Sequence, residues 1–209
     1  MNCDLLVKAL AAMEPETTLQ KFQSTSGIAS RSVANSIIDF LESNGIGTVA
    51  GNEIKFRATG RLYAAMLAVQ SGCDIEQVSE HLTWKDFEKL ASEVLASLGY
   101  CTKTNMRLTK PRMEIDVVGT NSRFAIAVDC KHWKKSSVSS IAAFAKKQVA
   151  RSERLLSFDR TISKVVPVIM TLRAGPVAFV GGVPVVPVHK FRSFVIEVEG
   201  FLPEIYVAH

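Results

Sequence analysis

The sequence predicts an α/β protein with two domains, one mostly helical and one centred on a mixed β-sheet. Apolar residues recur at helical spacing through the first third of the chain, and apolar, β-branched runs typical of strands follow from about residue 100. Charge divides in the same way: residues 1–83 carry six Lys/Arg against nine Asp/Glu, and residues 84–209 carry 19 against 11. These three observations predict two domains, and the capping-box spacing of Thr83 and Asp86 places the boundary between residues 82 and 83.

The first domain, residues 1–82, is predicted to consist of short helices and one hairpin. Its expected helices are Leu5–Met13, one capped by Thr17 or Thr18 and ending near residues 24–27, one from Ser30 to Asn44, then Thr59–Gln70 and a connecting helix Asp74–His81. A hairpin with Gly51-Asn52 at its turn follows the third helix. Helix, turn, helix and a hairpin in the position of a wing resemble a winged-helix domain over residues 1 to about 72.

Two roles are open for this winged-helix domain. It would read duplex DNA through the third helix, which is expected to expose Arg31, Ser32, Asn35 and Ser36. It would alternatively mediate dimerisation or bind a partner protein. The net charge of −3 over residues 1–83 favours the second role, because a DNA reader normally brings several Lys/Arg to the phosphates.

The second domain, residues 83–209, is predicted to alternate between helices and strands. Thr83 and Asp86 have the spacing of a capping box, and the helix that they begin should stop at Gly99. The later predicted elements are strands Tyr100–Leu108, Met113–Val118 and Arg123–His132, a helix from about Ser140 to Ser157, a buried strand Val165–Leu172, one or two strands in Gly175–Val188, and a helix from Phe191 to Gly200. This order predicts a mixed sheet flanked by helices.

Composition narrows the class and compartment of the protein. The apolar region of residues 165–188 is interrupted by Pro and Gly, so no membrane span is expected, and the N-terminus lacks the pattern of a signal peptide. A cytoplasmic location follows by default. The four cysteines show no metal-binding spacing and are expected to be reduced and mostly buried. The net charge of +8 over residues 84–209 predicts a polyanionic partner such as DNA.

Three residues carry the predicted chemistry: Asp116, Asp129 and Lys131. Side chains alternate along a strand, so Asp129 and Lys131 share one face while Cys130 points to the other. They end the apolar run of residues 124–128, where an unpaired charge would be costly. Two carboxylates on adjacent strands beside a lysine suit a hard divalent cation such as Mg²⁺ or Mn²⁺, which activates water and neutralises a phosphate.

The helices on either side of these strands supply further candidates. Because residues advance by about 100° in a helix, Glu88 should border the buried face of its helix while Glu93 faces water. Gln148 falls inside the apolar stripe of the later helix and needs a partner there. The neighbouring face of that helix carries residues expected to contact phosphates, namely Lys147, Arg151 and Arg154.

Residues 84–190 resemble the restriction-endonuclease-like, or PD-(D/E)XK, superfamily, and most closely the Mrr-type endonucleases and archaeal Holliday-junction resolvases. The resemblance rests on Phe87-Glu88, Leu98-Gly99-Tyr100, Ile115-Asp116-Val117, Val128-Asp129-Cys130-Lys131 with Trp133, and the strands around Val166-Pro167-Val168 and Val183-Pro184-Val185-Val186. It implies catalytic roles for Glu88, Asp116, Asp129 and Lys131. The metal ligands would be Asp116, Asp129 and the backbone carbonyl of Cys130. No Pro precedes Asp116, and Asp129 stands where Glu or Gln is more usual.

Together these features predict a Mg²⁺-dependent endonuclease that hydrolyses phosphodiester bonds in DNA. A homodimer is expected, because two active sites related by a twofold axis suit the cutting of both strands. One alternative is a regulatory or DNA-binding winged-helix protein that keeps the nuclease fold as a scaffold. Another is a structure-specific resolvase. His132 and Trp133, just past the strand, would touch nucleic acid or pack at the rim of the site.

Overall fold

A computed structural model describes residues 2–109, 111–131, 137–172 and 174–209, with the Ile75 side chain left out. Contacts divide the chain into two compact units, Met1–Asp86 and Phe87–His209. The division falls in the first turn of helix α6 (Trp84–Ser97). As the capping-box pattern predicts, Asp86 accepts hydrogen bonds from the Thr83 backbone N–H at 2.7 Å and from the Thr83 hydroxyl at 2.8 Å.

The first unit combines five helices with a small antiparallel sheet. Its elements are α1 (Cys3–Ala11), β1 (Glu16–Thr18), α2 (Leu19–Ser26), α3 (Arg31–Ser43), β2 (Gly47–Ala50), β3 (Glu53–Phe56), α4 (Gly60–Gln70) and α5 (Ile75–Ser79). The strands lie in the order β1-β3-β2. Ser30 caps α3 as predicted, and the predicted hairpin is present as β2 and β3. The assignment of this unit to the winged-helix class stays a prediction.

Strand β1 was not predicted from the sequence. It has three residues, Glu16–Thr18, and pairs with Glu53–Lys55 of β3. A strand this short has no readable alternation, and Thr18 also caps α2, so local pattern favoured a helix start alone. Its partner strand, about 35 residues later in the chain, supplies the hydrogen bonds that define it.

The cysteines differ from the expectation that all four are reduced. Cys3, which begins α1, and Cys73, which precedes α5, form a disulfide across 70 residues of chain. Cys101 is free and exposed, whereas Cys130 is free and buried. The prediction of reduced thiols was therefore wrong for Cys3 and Cys73, because sequence spacing does not reveal which helix ends meet in space.

Opening the disulfide is expected to lower the free energy of unfolding of the first unit by about 2 to 4 kcal/mol, because the bond restricts the unfolded chain. Calorimetric unfolding of oxidised protein and of a Cys3→Ser/Cys73→Ser variant measures this difference. A Cys101→Ser variant is the control, since it removes an exposed thiol outside the bond. Equal unfolding temperatures for the oxidised protein and the double variant would contradict the prediction.

The second unit is a six-stranded mixed sheet flanked by helices. After α6 it contains β4 (Cys101–Leu108), β5 (Met113–Thr120), β6 (Ala125–Lys131), α7 (Val138–Phe158), β7 (Val165–Thr171), β8 (Phe179–Val180), β9 (Val183–Pro187) and α8 (Phe191–Phe201). The strand order is β4-β5-β6-β7-β9-β8. Strands β4, β5 and β6 are antiparallel neighbours, and β6, β7 and β9 run parallel. The α/β class predicted from the sequence is confirmed.

Strands β6 and β7 form the centre of this sheet. All seven residues of β7 are buried, and so are the first six of β6. Helix α6 approaches β5 closely at Gly119, where an added Cβ would lie 2.9 Å from Leu95 Cδ1. Helix α8 continues through Gly200 to Phe201, so the expected stop at Gly200 was one residue early. The buried sheet and the close helix fix the backbone on which the polar residues lie.

Helix α7 has 21 residues, and lysines and arginines are distributed along it, so it is not an apolar helix. Within the described ranges of the chain, no helix has both the length and the apolar character that crossing a membrane requires.

Candidate active site

Asp116 on β5 and Asp129 on β6 lie where the pairing between these two strands ends. The ladder runs from Thr120↔Ala125 to Val117↔Val128, so Asp116 and Asp129 are the next two positions in register. Here a side chain replaces the ladder: Asp116 Oδ2 accepts a hydrogen bond of 2.7 Å from the backbone N–H of Cys130. The structure therefore holds the two predicted carboxylates on adjacent strands, as their spacing indicates.

Asp129 is a buried carboxylate held by two cations. Its side chain is only 1% exposed, so its charge requires compensation. Lys131 Nζ donates to Oδ1 at 2.9 Å, and Arg151 Nη1 donates to the same oxygen at 2.8 Å. Lys131 and Arg151 lie on different elements, β6 and α7, and both are largely buried. Asp129 thus joins the central strand to the long helix.

The Lys131 side chain also lies over an aromatic ring. Its Nζ is 5.0 Å from the centre of the Phe144 ring, and Lys147 Nζ is 5.6 Å from the same centre. Cation–π contacts of this kind orient an ammonium group without removing its charge. Phe144 thereby holds one lysine beside Asp129 and a second on the adjacent helix surface.

Two groups of this site have a raised pKa, and burial is the main cause for both. Burial, and then the negative charge of Asp129, raise the pKa of Asp116, while the Cys130 N–H and the charges of Lys131 and Arg151 act in the opposite direction. Burial also raises the pKa of the Cys130 thiol, and the charges of Asp116, Asp129 and Glu88 raise it further. The Cys130 thiol is therefore neutral at physiological pH.

Glu88 lies where the helical periodicity predicts. It is buried in α6, whereas Glu93 is exposed. Its Oε2 accepts a hydrogen bond of 3.3 Å from Asn105 Nδ2 on strand β4. By the register of β4 and β5, Asn105 lies opposite Asp116, since Thr104 pairs with Val117 and Met106 with Ile115. Asn105 is thus a residue of this region that sequence reasoning missed.

Asn105 has an unusual backbone conformation for a strand residue. Its φ is +51°, and it is the non-glycine residue with positive φ in the described parts of the chain. Asn tolerates the left-handed region better than most residues because its short polar side chain can form local hydrogen bonds. An Asn inside a run of strand residues gives no local turn pattern, so the sequence offers no signal for this conformation.

Asn105→Ala is expected to be less stable than Asn105→Gly by about 1 kcal/mol, because alanine pays the steric penalty of the left-handed region and glycine does not. Both variants lose the amide contact with Glu88, so their difference isolates the backbone. Urea unfolding of the two proteins measures it. The prediction fails if the alanine variant is as stable as the glycine variant.

The structure places the predicted basic helix face in three different environments. Arg151 faces inward to Asp129, rather than outward. Arg154 Nη2 donates to the carbonyl of Thr109 at 2.6 Å, and Lys147 lies on Phe144. Gln148 is fully buried, and its Nε2 donates to the Ala127 carbonyl at 2.8 Å, which supplies the partner that an interior amide needs. Contact of these side chains with DNA phosphates stays a prediction.

The carboxylate oxygens of Asp116 and Asp129 are ligands of the kind that a hard divalent cation prefers. Asp129 Oδ2 is buried, and no donor among the described residues meets it with hydrogen-bond geometry, although Lys131 Nζ lies 2.9 Å away in the ion pair. Asp116 contributes a second carboxylate. In the part of the chain that is described, no group of three or more His, Cys, Asp or Glu side chains converges as a metal site. The predicted carbonyl ligand of Cys130 stays a prediction, and His132 and Trp133 lie outside the described residues.

The second unit has two antiparallel connections followed by a parallel crossover, and Asp116 and Asp129 lie where the β5–β6 ladder ends. This architecture agrees with a restriction-endonuclease-like fold. Comparison with protein families agrees, since residues 79–155 match the restriction endonuclease family Mrr_cat. That segment contains Glu88, both aspartates and Lys131. The match agrees with the sequence resemblance to the Mrr-type endonucleases over this part of the chain.

Solved structures resemble the chain at low sequence identity. Protein VC1899 from Vibrio cholerae is 10% identical, with a TM-score of 0.39 over 96% of this chain and 50% of its own. Can2 from Sulfobacillus thermosulfidooxidans, solved in complex with cyclic tetra-adenylate, is 12% identical, with a TM-score of 0.36 over 93% and 50%. The protein AF1548 is 17% identical, with a TM-score of 0.31 over 52% and 54%.

The chain spans about half the length of these solved proteins. No curated protein sequence matches it.

Proposed function

We propose that this protein is a Mg²⁺-dependent endonuclease that hydrolyses phosphodiester bonds in DNA. The observation that carries the proposal is the pairing of Asp116 and Asp129 at the open end of a β-ladder, with Lys131 on Asp129. The restriction-endonuclease domain over residues 79–155 supports a nuclease, and the basic charge of residues 84–209 supports a DNA substrate. Mn²⁺ is expected to replace Mg²⁺, because both accept oxygen ligands.

The proposed division of labour follows from the contacts. Asp116 and Asp129 would hold the cation, with the Cys130 carbonyl as a further ligand. When bound, such a cation acidifies a water molecule and neutralises charge that develops on the phosphate. Lys131 would orient the attacking water and add positive charge beside the phosphate, and Phe144 limits the positions open to its ammonium group. Glu88, held by Asn105, would act as an additional acid of the site.

Incubation of the purified protein with linear, supercoiled, flapped, single-stranded and four-way-junction DNA tests the proposal. Each substrate is combined with Mg²⁺, Mn²⁺ or EDTA, and an Asp129→Asn variant controls for contaminating nucleases. Cleavage that needs the cation and Asp129 supports an endonuclease. Cleavage restricted to junctions would identify a resolvase, and binding without cleavage on every substrate would identify a scaffold protein.

The first unit would pair two nuclease domains into a homodimer. Its net charge of −3 over residues 1–83 argues for contact with protein, and α3 leaves Arg31, Ser32, Asn35 and Ser36 exposed. Analytical ultracentrifugation of the full chain measures the assembly. A monomer at micromolar concentration would contradict the homodimer, and a monomeric fragment 1–82 that binds DNA as tightly as the full chain would restore the alternative in which α3 and the β2–β3 hairpin read DNA. We also propose a cytoplasmic location, in which the enzyme would encounter DNA.

A further inference from the structure

Arg151 occupies a position that the predicted enzyme chemistry does not explain. Its Nη1 donates to Asp129 Oδ1 at 2.8 Å and to Gln148 Oε1 at 3.2 Å. The side chains of this ion pair are 22% and 1% exposed, so water screens it poorly. Arg151 therefore interacts directly with a carboxylate that, under the proposed function, holds the divalent cation.

Gln148 fixes Arg151 in this position. It is 0% exposed, and its Nε2 is committed to the Ala127 carbonyl of β6 at 2.8 Å. Because the amide nitrogen of Gln148 is used in that hydrogen bond, its amide oxygen is the atom that accepts from the Arg151 guanidinium, one turn further along α7. The helix thus presents Arg151 to Asp129 through a buried contact that is itself anchored to the central strand.

A guanidinium and a divalent cation on the same carboxylate repel one another. Arg151 and Lys131 already place two positive charges within 3 Å of Asp129 oxygens, at 2.8 Å and 2.9 Å. A further two positive charges a few ångströms away would be strongly unfavourable in a poorly screened site. Lys131 lies on the same strand as Asp129 and has a proposed role in the reaction, whereas Arg151 comes from a separate helix.

Resting on the proposed function, we propose that Arg151 is the resident counter-cation of Asp129, which stabilises the metal-free protein and is displaced when a divalent cation binds. The two cations then compete for one carboxylate. Because such coupling is reciprocal, removal of Arg151 must strengthen cation binding by the factor by which the cation weakens the Arg151 contact. A purely architectural Arg151, which only holds Asp129 in place, has the opposite effect on cation affinity.

Mn²⁺ titration calorimetry of Arg151→Gln against wild type tests this inference in the absence of DNA. We expect Arg151→Gln to bind Mn²⁺ about tenfold more tightly, because a repelling charge is lost. Arg154→Gln is the matched control, since it removes the same charge from the same helix but its guanidinium contacts the Thr109 carbonyl. Its affinity should stay within about twofold of wild type, because the described contact of Arg154 is with a backbone carbonyl and not with either aspartate.

Thermal unfolding of the same proteins supplies a second readout. In EDTA, Arg151→Gln should unfold at a lower temperature than wild type, because Asp129 loses a partner, and saturating Mn²⁺ should narrow that gap. If wild type binds Mn²⁺ and Arg151→Gln binds it equally or more weakly, the inference is overturned while the proposed function stands. If wild type binds no Mn²⁺, both fail.

Discussion

Replacing Lys131 with alanine is expected to lower the rate of DNA cleavage by about a hundredfold to a thousandfold, since the lysine is proposed to stabilise charge that develops in the transition state. The fold should survive. The substitution leaves Asp129 with its second cation, because Arg151 Nη1 lies 2.8 Å from Asp129 Oδ1. Single-turnover cleavage rates and circular dichroism of the purified variant measure the two effects.

Lys147→Ala is the matched control for this prediction. Lys147 shares the Phe144 ring with Lys131, at 5.6 Å against 5.0 Å, but its described contact is with the ring rather than with Asp129. Because Lys147 is predicted to contact DNA phosphates, Lys147→Ala should need more DNA to reach saturation, but its single-turnover rate in saturating DNA should stay close to that of wild type. Full cleavage by a folded Lys131→Ala protein would remove the lysine from the reaction, and unfolding would show that its ion pair with Asp129 is structural.

Replacing Asp116 with asparagine is expected to weaken Mn²⁺ binding by at least about tenfold, because a charged oxygen ligand becomes a neutral one. The substitution is mild for the fold, since the asparagine carbonyl can still accept the hydrogen bond that the Cys130 N–H donates. Glu114→Gln, two residues earlier on β5, is the control, because Glu114 is exposed and pairs with Arg107. Titration calorimetry at constant ionic strength compares the three proteins.

The raised pKa of Asp116 gives this prediction a pH dependence. Its carboxyl group takes up a proton at a higher pH than an ordinary aspartate, and the protonated form is a poor cation ligand. Wild-type affinity for Mn²⁺ should therefore fall as pH is lowered, beginning above the range in which exposed aspartates titrate. The fall should be shallower in Asp116→Asn. Equal affinities of wild type and variant at every pH would remove Asp116 from the site.

The sequence by itself determined the order of elements in the second unit and the residues at its centre. Alternation along a strand put Asp129 and Lys131 on one face, and helical periodicity separated buried Glu88 from exposed Glu93. Gln148, a polar residue in an apolar stripe, signalled a buried partner, which proved to be the Ala127 carbonyl. These predictions succeeded because each depends on the period of a single helix or strand.

The tertiary structure decided which elements meet. Periodicity assigned Arg151 to a basic face with Lys147 and Arg154, yet the packing of α7 beside β6 turns it onto Asp129. The joining of Cys3 to Cys73 and the pairing of β1 with β3 likewise depend on chain segments distant in sequence.

Asn105 shows the same limit most clearly. Its left-handed backbone and its contact with Glu88 arise where an edge strand passes a helix that begins some 20 residues earlier. A local pattern records which face a residue occupies. The partner on that face is set by contacts between distant parts of the chain, which the pattern of one element does not contain.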